Sequence, residues 1–139
     1  MLILDTDHVS ALGFASKPGL KLLERLGGSG EEVATTIITV EEQLRGWLAE
    51  IHRVSDPHRQ IPLYERLQRR IEFFAAWSVV PWSAAAADLF AGFRAGGVRI
   101  GSMDLKIACI AVTQQATLLT RNVSDFAEVR GLRLEDWLA

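Results

Sequence analysis

The chain has 139 residues, 49% of them hydrophobic and 23% charged, which is long enough for one cored domain and too apolar for a disordered tail. A net charge of −2 gives no global basic field of the kind nucleic-acid binders carry, so any such binding must rest on a local patch. The lone cysteine, Cys109, cannot form an internal disulfide; it lies in the apolar run IACIAV, as a core filler in a reducing, cytoplasmic setting. No basic leader precedes the first apolar run, and no run approaches about 20 apolar residues, so neither a signal peptide nor a membrane span is expected.

In chain order, Leu2 to Asp5 reads as a short strand buried on both faces, because LIL is continuous rather than alternating. A helix follows from Thr6 to Leu12, with Thr6 or Asp7 as its N-cap. PGLKLLERL starts a second helix at Pro18, and Gly27 to Gly30 form a loop behind it. VATTIIT, Val33 to Thr39, is rich in β-branched residues and reads as the second strand. VEEQLRGWLAEIHRV has apolar residues at Val40, Leu44, Trp47, Leu48 and Ile51, at helical spacing. SDPHRQIP breaks the pattern at Pro57 and Pro62, and Leu63 to Trp77 resumes it before the short strand SVVPW. AAAADLFAGFRAGG is a helix stopped by Gly96 and Gly97, and Ser102 to Gln115 is a largely buried helix with Ser102 as N-cap. Short strands at Thr117 to Thr120 and near Leu132 to Leu134 close the chain. Strands alternating with helices imply a parallel sheet covered on both faces, whose functional crevice lies beyond the C-terminal strand ends.

Acids and an amide fall at such ends or at helix starts: Asp5 with Asp7, Glu41 with Glu42, Asp104, and Asn122 with Asp125. Asp5 closes a buried strand, where an acid has few purely structural uses. Glu42 and Asp104 serve equally well, on pattern alone, as first-turn acids complementing a helix dipole. Gathered in one place the carboxylates would repel, and a hard divalent cation with oxygen ligands, such as Mg²⁺, would make the cluster tolerable.

Four blocks then carry a resemblance. LDTDHVSAL, TVEEQLRGW, IGSMDLKIACIA and LLTRNVSDFAEVRGLRLEDW, in order from Leu2 to Trp137, resemble the blocks of PIN-domain ribonucleases, and most nearly the VapC-type toxins of bacterial toxin–antitoxin pairs. The resemblance implies a PIN-like three-layer α/β domain over residues 1–139, with a mostly parallel sheet of about five short strands. It implies a Mg²⁺- (or Mn²⁺-) dependent endoribonuclease, a cognate VapB-type antitoxin seated on mid-chain helices, and a homodimer. By position, the resemblance assigns catalysis to Asp5, Glu42 (rather than Glu41), Asp104 and Asn122, the first three as metal ligands. Thr6, Ser102 and Thr120 would be hydroxyls orienting carboxylates and waters. Two positions depart from the family pattern: Asp7 stands where Asn is frequent, and Asn122 where Asp is commoner, with Asp125 near enough to compensate.

Several other residues invite a role. His8 most simply lines the first turn of its helix, and His52 and His58 belong to the surface, since their spacing fits no zinc site. Arg66, Arg69 and Arg70 form a stripe that reads as solvated helix surface, with an RNA phosphate track as the second reading. Arg121 and Lys106, beside the acids, are better placed to contact phosphate. Trp47, Trp77, Trp82 and Trp137 sit at apolar positions and read as packing residues. Three competing functions remain open on the sequence. DTDHV also matches the D-x-D-x-[TV] of haloacid-dehalogenase-type phosphatases, with Asp5 as nucleophile, Asp7 as acid–base and Lys106 as the lysine, although no late paired-acid motif accompanies it. A PIN nuclease of RNA processing needs no antitoxin, and a degenerate domain would only bind a partner or RNA.

Overall fold

The computed structural model describes residues 1–13 and 16–139. Its elements are β1 (Leu2–Leu4), α1 (Thr6–Leu12), α2 (Lys17–Gly28), β2 (Val33–Thr36), α3 (Ile37–His52), α4 (Pro57–Ala75), β3 (Val79–Val80), α5 (Ala84–Ala95), α6 (Ser102–Thr113), β4 (Thr117–Leu119), a 3₁₀ turn (Val123–Phe126) and β5 (Arg133–Glu135). The five strands form one sheet in the order β3-β2-β1-β4-β5, and every neighbouring pair is parallel. The expected α/β architecture with a central parallel sheet is therefore present.

The alternation of side chains along a strand divides the core into two layers. On β1, Ile3 faces a cluster built from α5, α6, Phe126 and Val129, while Leu2 and Leu4 face one built from α1, α2, Trp47 and Phe74. Leu118 and Leu119 on β4 split the same way. β1 is the middle strand and its three residues are all buried, which is why LIL is apolar without interruption. Among the described residues, no helix is long and apolar enough to cross a membrane.

Capping decides the element boundaries that composition misplaces. The N-cap of α1 is Asp5, whose side chain accepts from the His8 backbone N–H; it is neither Thr6 nor Asp7. β2 ends at Thr36 rather than Thr39, because the Thr36 hydroxyl accepts from the Thr39 N–H at 3.1 Å and turns the β-branched IIT into the first turn of α3. The expected break around Pro57 and Pro62 is instead a helix start. Asp56 caps α4, Pro57 takes the first helical position, where a missing N–H costs nothing, and Pro62 lies exposed within the helix. Gly27 and Gly28 belong to the last turn of α2, and Ser29 closes it by donating its hydroxyl to the Leu26 carbonyl. Ser102 does not cap α6: the N-cap is Gly101, with no side-chain bond, and the Ser102 hydroxyl accepts from Arg94.

Candidate active site

β1 leads to β2 and β3 on one side, and the chain then crosses to β4 on the other, so the topological switch falls between β1 and β4. Crevices form at such points, outside the C-terminal strand ends. Asp5 stands there. Its backbone N–H still donates to the Leu119 carbonyl at 3.1 Å, tying it to β4, while its carboxylate caps α1. It is 7% exposed.

Asp5 Oδ1 receives two donors, the His8 backbone N–H at 3.0 Å and His8 Nδ1 at 3.1 Å. His8 is wholly buried, so it is a bonded component of the site rather than a residue lining the helix surface. The sequence signal for this was available: position i+3 from an N-cap faces back onto the cap.

Glu42 lies on α3. Its Oε1 accepts from the Thr6 hydroxyl at 2.8 Å, which pins α3 to the start of α1. Glu41 points the other way and pairs with Arg45 one turn on, at 2.6 Å. Of the adjacent glutamates, Glu42 is the one bonded to Thr6, the residue after Asp5. Thr6 thus donates to a carboxylate of α3.

Asp104 sits in the first turn of α6, half-buried. Burial raises its pKa above the ordinary 3.8, and the charges of Glu42, Asp5, Asp125 and Asp7, in that order, raise it further. Acids from β1, α1, α3, α6 and the 3₁₀ turn therefore share one electrostatic environment. Asn122 opens the 3₁₀ turn that carries Asp125, and its N–H donates to the buried Thr120 hydroxyl at 3.1 Å. Asn122 and Asp125 are both exposed. The Thr120 hydroxyl holds backbone rather than a carboxylate.

The cationic candidates separate. Arg121 is exposed just beyond β4. Lys106 holds its ammonium 5.8 Å from the ring centre of Trp82 and 6.0 Å from that of Phe90. His52 and His58 are exposed, as expected. Trp47, Trp77 and Trp137 pack on one core cluster and Trp82 on the other, also as expected. Arg66, Arg69 and Arg70 are not simply solvated, however. With Trp47 and Phe73 they line a cleft of about 680 Å³ between α3 and α4. Arg70 packs onto Gly13, and burial, then the charges of Arg66 and Arg69, lower its pKa.

The donor set suits a hard cation: carboxylates alone, with no Lys or Arg ion pair to Asp5, Glu42, Asp104 or Asp125 among the described residues. Among those residues no three His, Cys, Asp or Glu side chains close into a ready-made cage. One oxygen of Asp5 and one of Glu42 are already held by hydrogen bonds. Mg²⁺ keeps several waters and usually takes only one or two carboxylates, so an open acidic bay of this kind fits it.

A five-stranded parallel sheet between helical layers, with an acid closing its central strand and others on the flanking helices, defines the PIN-like α/β class. No family model matches the chain. Among particular proteins, the chain is similar to Ribonuclease VapC2 of Rickettsia felis, at 31% identity over 78 residues, covering 52% of this chain and 58% of that relative. The match thus spans little more than half of the relative's length. The chain superposes on a chain of VapBC2 from Rickettsia felis bound to a promoter DNA fragment, with TM-score 0.72, 25% identity and 98% of each chain covered. It also superposes on VapBC-1 from nontypeable Haemophilus influenzae, with TM-score 0.74, 23% identity, and 99% and 98% of the two chains covered. The VapC-type resemblance read from the four sequence blocks is borne out.

Proposed function

We propose that residues 1–139 form a single PIN-like domain acting as a Mg²⁺- or Mn²⁺-dependent endoribonuclease, the toxin of a type II toxin–antitoxin pair in the cytoplasm. The observation that supports this reading is the Thr6–Glu42 bond, which ties α3 to the start of α1 beside Asp5, together with a half-buried Asp104 on which the charges of Glu42, Asp5 and Asp125 bear. The relative's name, ribonuclease, supports the reaction class. The solved neighbours include toxin–antitoxin complexes, which supports a VapB-type antitoxin as partner; a homodimer is the working form of this reading.

Asp5, Glu42 and Asp104 would hold the cation, with Asn122 or Asp125 completing the bay. When bound, the cation supplies charge neutralisation at the scissile phosphate and eases deprotonation of water. The protein does the rest. His8 and the Leu119 carbonyl fix Asp5, and the Thr6 hydroxyl fixes Glu42. A carboxylate oxygen of the cluster that the cation leaves free takes the proton of the attacking water. Arg121 contacts the phosphate. In-line attack leaves 5′-phosphate and 3′-hydroxyl ends.

The test is RNA cleavage by wild type and Asp5→Asn, with Mg²⁺ and with chelator. Wild type should cleave only with the metal, and the folded variant should lose at least about 100-fold. Undiminished cleavage by folded Asp5→Asn refutes the site.

A further inference from the structure

Hydrogen bonds lead from the turn after β5 into the acid cluster. His8, 0% exposed, bridges them: Nδ1 lies 3.1 Å from Asp5 Oδ1, and the Trp137 backbone N–H reaches Nε2 at 3.2 Å. A backbone amide can only donate, so Nε2 must offer its lone pair and the ring proton must sit on Nδ1. That proton points at Asp5 Oδ1, which the His8 backbone N–H also grips. Two donors on one oxygen fix the carboxylate plane. Among the described residues no hydrogen bond reaches Oδ2, which stays clear for a cation. The Asp136 carboxylate is 3.9 Å from Nε2, too far to compete with the Trp137 amide.

Trp137 is itself clamped. The Arg25 guanidinium, in the last turn of α2, lies 3.9 Å from the ring centre, and the indole packs on the cluster that includes Leu2, Leu4 and Leu22. The amide that sets the His8 tautomer is therefore held by the packing and the cation contact of its own indole.

We propose that His8, locked as its Nδ1–H tautomer by the Trp137 amide, is the positioning residue that orients Asp5 for its cation, so that the turn after β5 is a working part of the centre. This rests on the metal-dependent reading above. Partners of metal-binding carboxylates and imidazoles typically change metal affinity by about 10- to 100-fold when removed, because the ligand must then be ordered during binding.

The probe is Mn²⁺ alone, titrated calorimetrically into the full chain. His8→Leu removes the donor and should weaken binding by about 10- to 100-fold. His8→Asn, whose amide N–H overlays Nδ1, should return to within about threefold of wild type. Nitrogen NMR of the metal-free wild type should show His8 protonated on Nδ1, a measurement that needs no variant. Trp137→Pro, which deletes the N–H, should lose that single-tautomer signature and weaken Mn²⁺ binding; Trp137→Phe, which keeps it, should retain both. A proton on Nε2 in the wild type, or unchanged Mn²⁺ affinity in folded His8→Leu, overturns the inference. Wild type that takes up no Mn²⁺ overturns the metal reading and the inference together, whereas binding wild type with indifferent His8→Leu overturns only the inference.

Discussion

Asp104→Asn in the metal-free protein should raise stability at pH 7 while lowering metal uptake. Burial and the charges of Glu42 and Asp5 are the leading reasons its proton affinity is raised. At roughly 8 Å and an effective dielectric of about 40, one carboxylate pair costs about 1 kcal/mol, so these two neighbours account for about 2. Half-exposure and salt screening reduce the net gain from the amide to about 1 kcal/mol. For a chain of this size that is a rise of about 3–5 °C in Tm. A carboxyl whose pKa is raised by folding contributes stability in its protonated form. That contribution is complete below the ordinary value of 3.8 and is lost as pH rises through the folded value. The gap between variant and wild type should therefore open with rising pH above about 4 and close below it. Scanning calorimetry in EDTA from pH 3.5 to 8 measures this; added Mn²⁺ should then raise the wild-type Tm more than the variant's. A variant less stable than wild type at pH 7, or a gap that does not vary with pH, refutes the convergence of these acids.

The adjacent glutamates provide a matched pair. Glu42→Gln should weaken Mn²⁺ binding by at least about tenfold in calorimetric titration, whereas Glu41→Gln should cost only the exposed Arg45 pair, about 0.3–0.5 kcal/mol in urea unfolding. Leu118→Ala in the middle of β4, fully buried, should destabilise by about 2–5 kcal/mol in the same assay. Burial pushes the Cys109 thiol up to about 11, so iodoacetamide at pH 8 should leave the folded protein unlabelled and react only after denaturant is added.

The strands and helices were largely legible because their burial patterns are simple. LIL is apolar on both sides because the middle strand is covered on both sides, and the α6 run reads as buried because Ile107 to Ala111 are buried without interruption. What composition hid was competition between a side chain and the strand ladder. Thr36 is a good strand residue and also a good cap, and only the bond to Thr39 decides which role ends β2. Pro57 punctuates a loop or opens a helix with equal ease until Asp56 is seen beneath it. In the site, Asp5 stands out from its place closing a buried strand, whereas Glu42 and Asp104 are singled out by the family resemblance, since nothing local distinguishes Glu41 from Glu42 except which face of α3 meets Thr6. His8 lies in the first turn of α1 as read, but its bonds were not legible, because its second partner, Trp137, lies at the far end of the sequence. The arginine cleft was hidden for a related reason: the stripe on α4 looks solvated until α3 and Gly13 are placed against it.

The sheet order has a consequence for biosynthesis. Of the five strands described, the innermost one is made first, and the register of Leu2 on one flank is completed only by Thr117. At about 5–20 residues per second, translation leaves β1 without that neighbour for roughly 6–23 s. Asp104 and Asp125 emerge on the same late schedule. A nascent copy thus carries Asp5 and Glu42 before Asp104 and Asp125 exist, and the four acids can come near one another only after β4 and the 3₁₀ turn have been made.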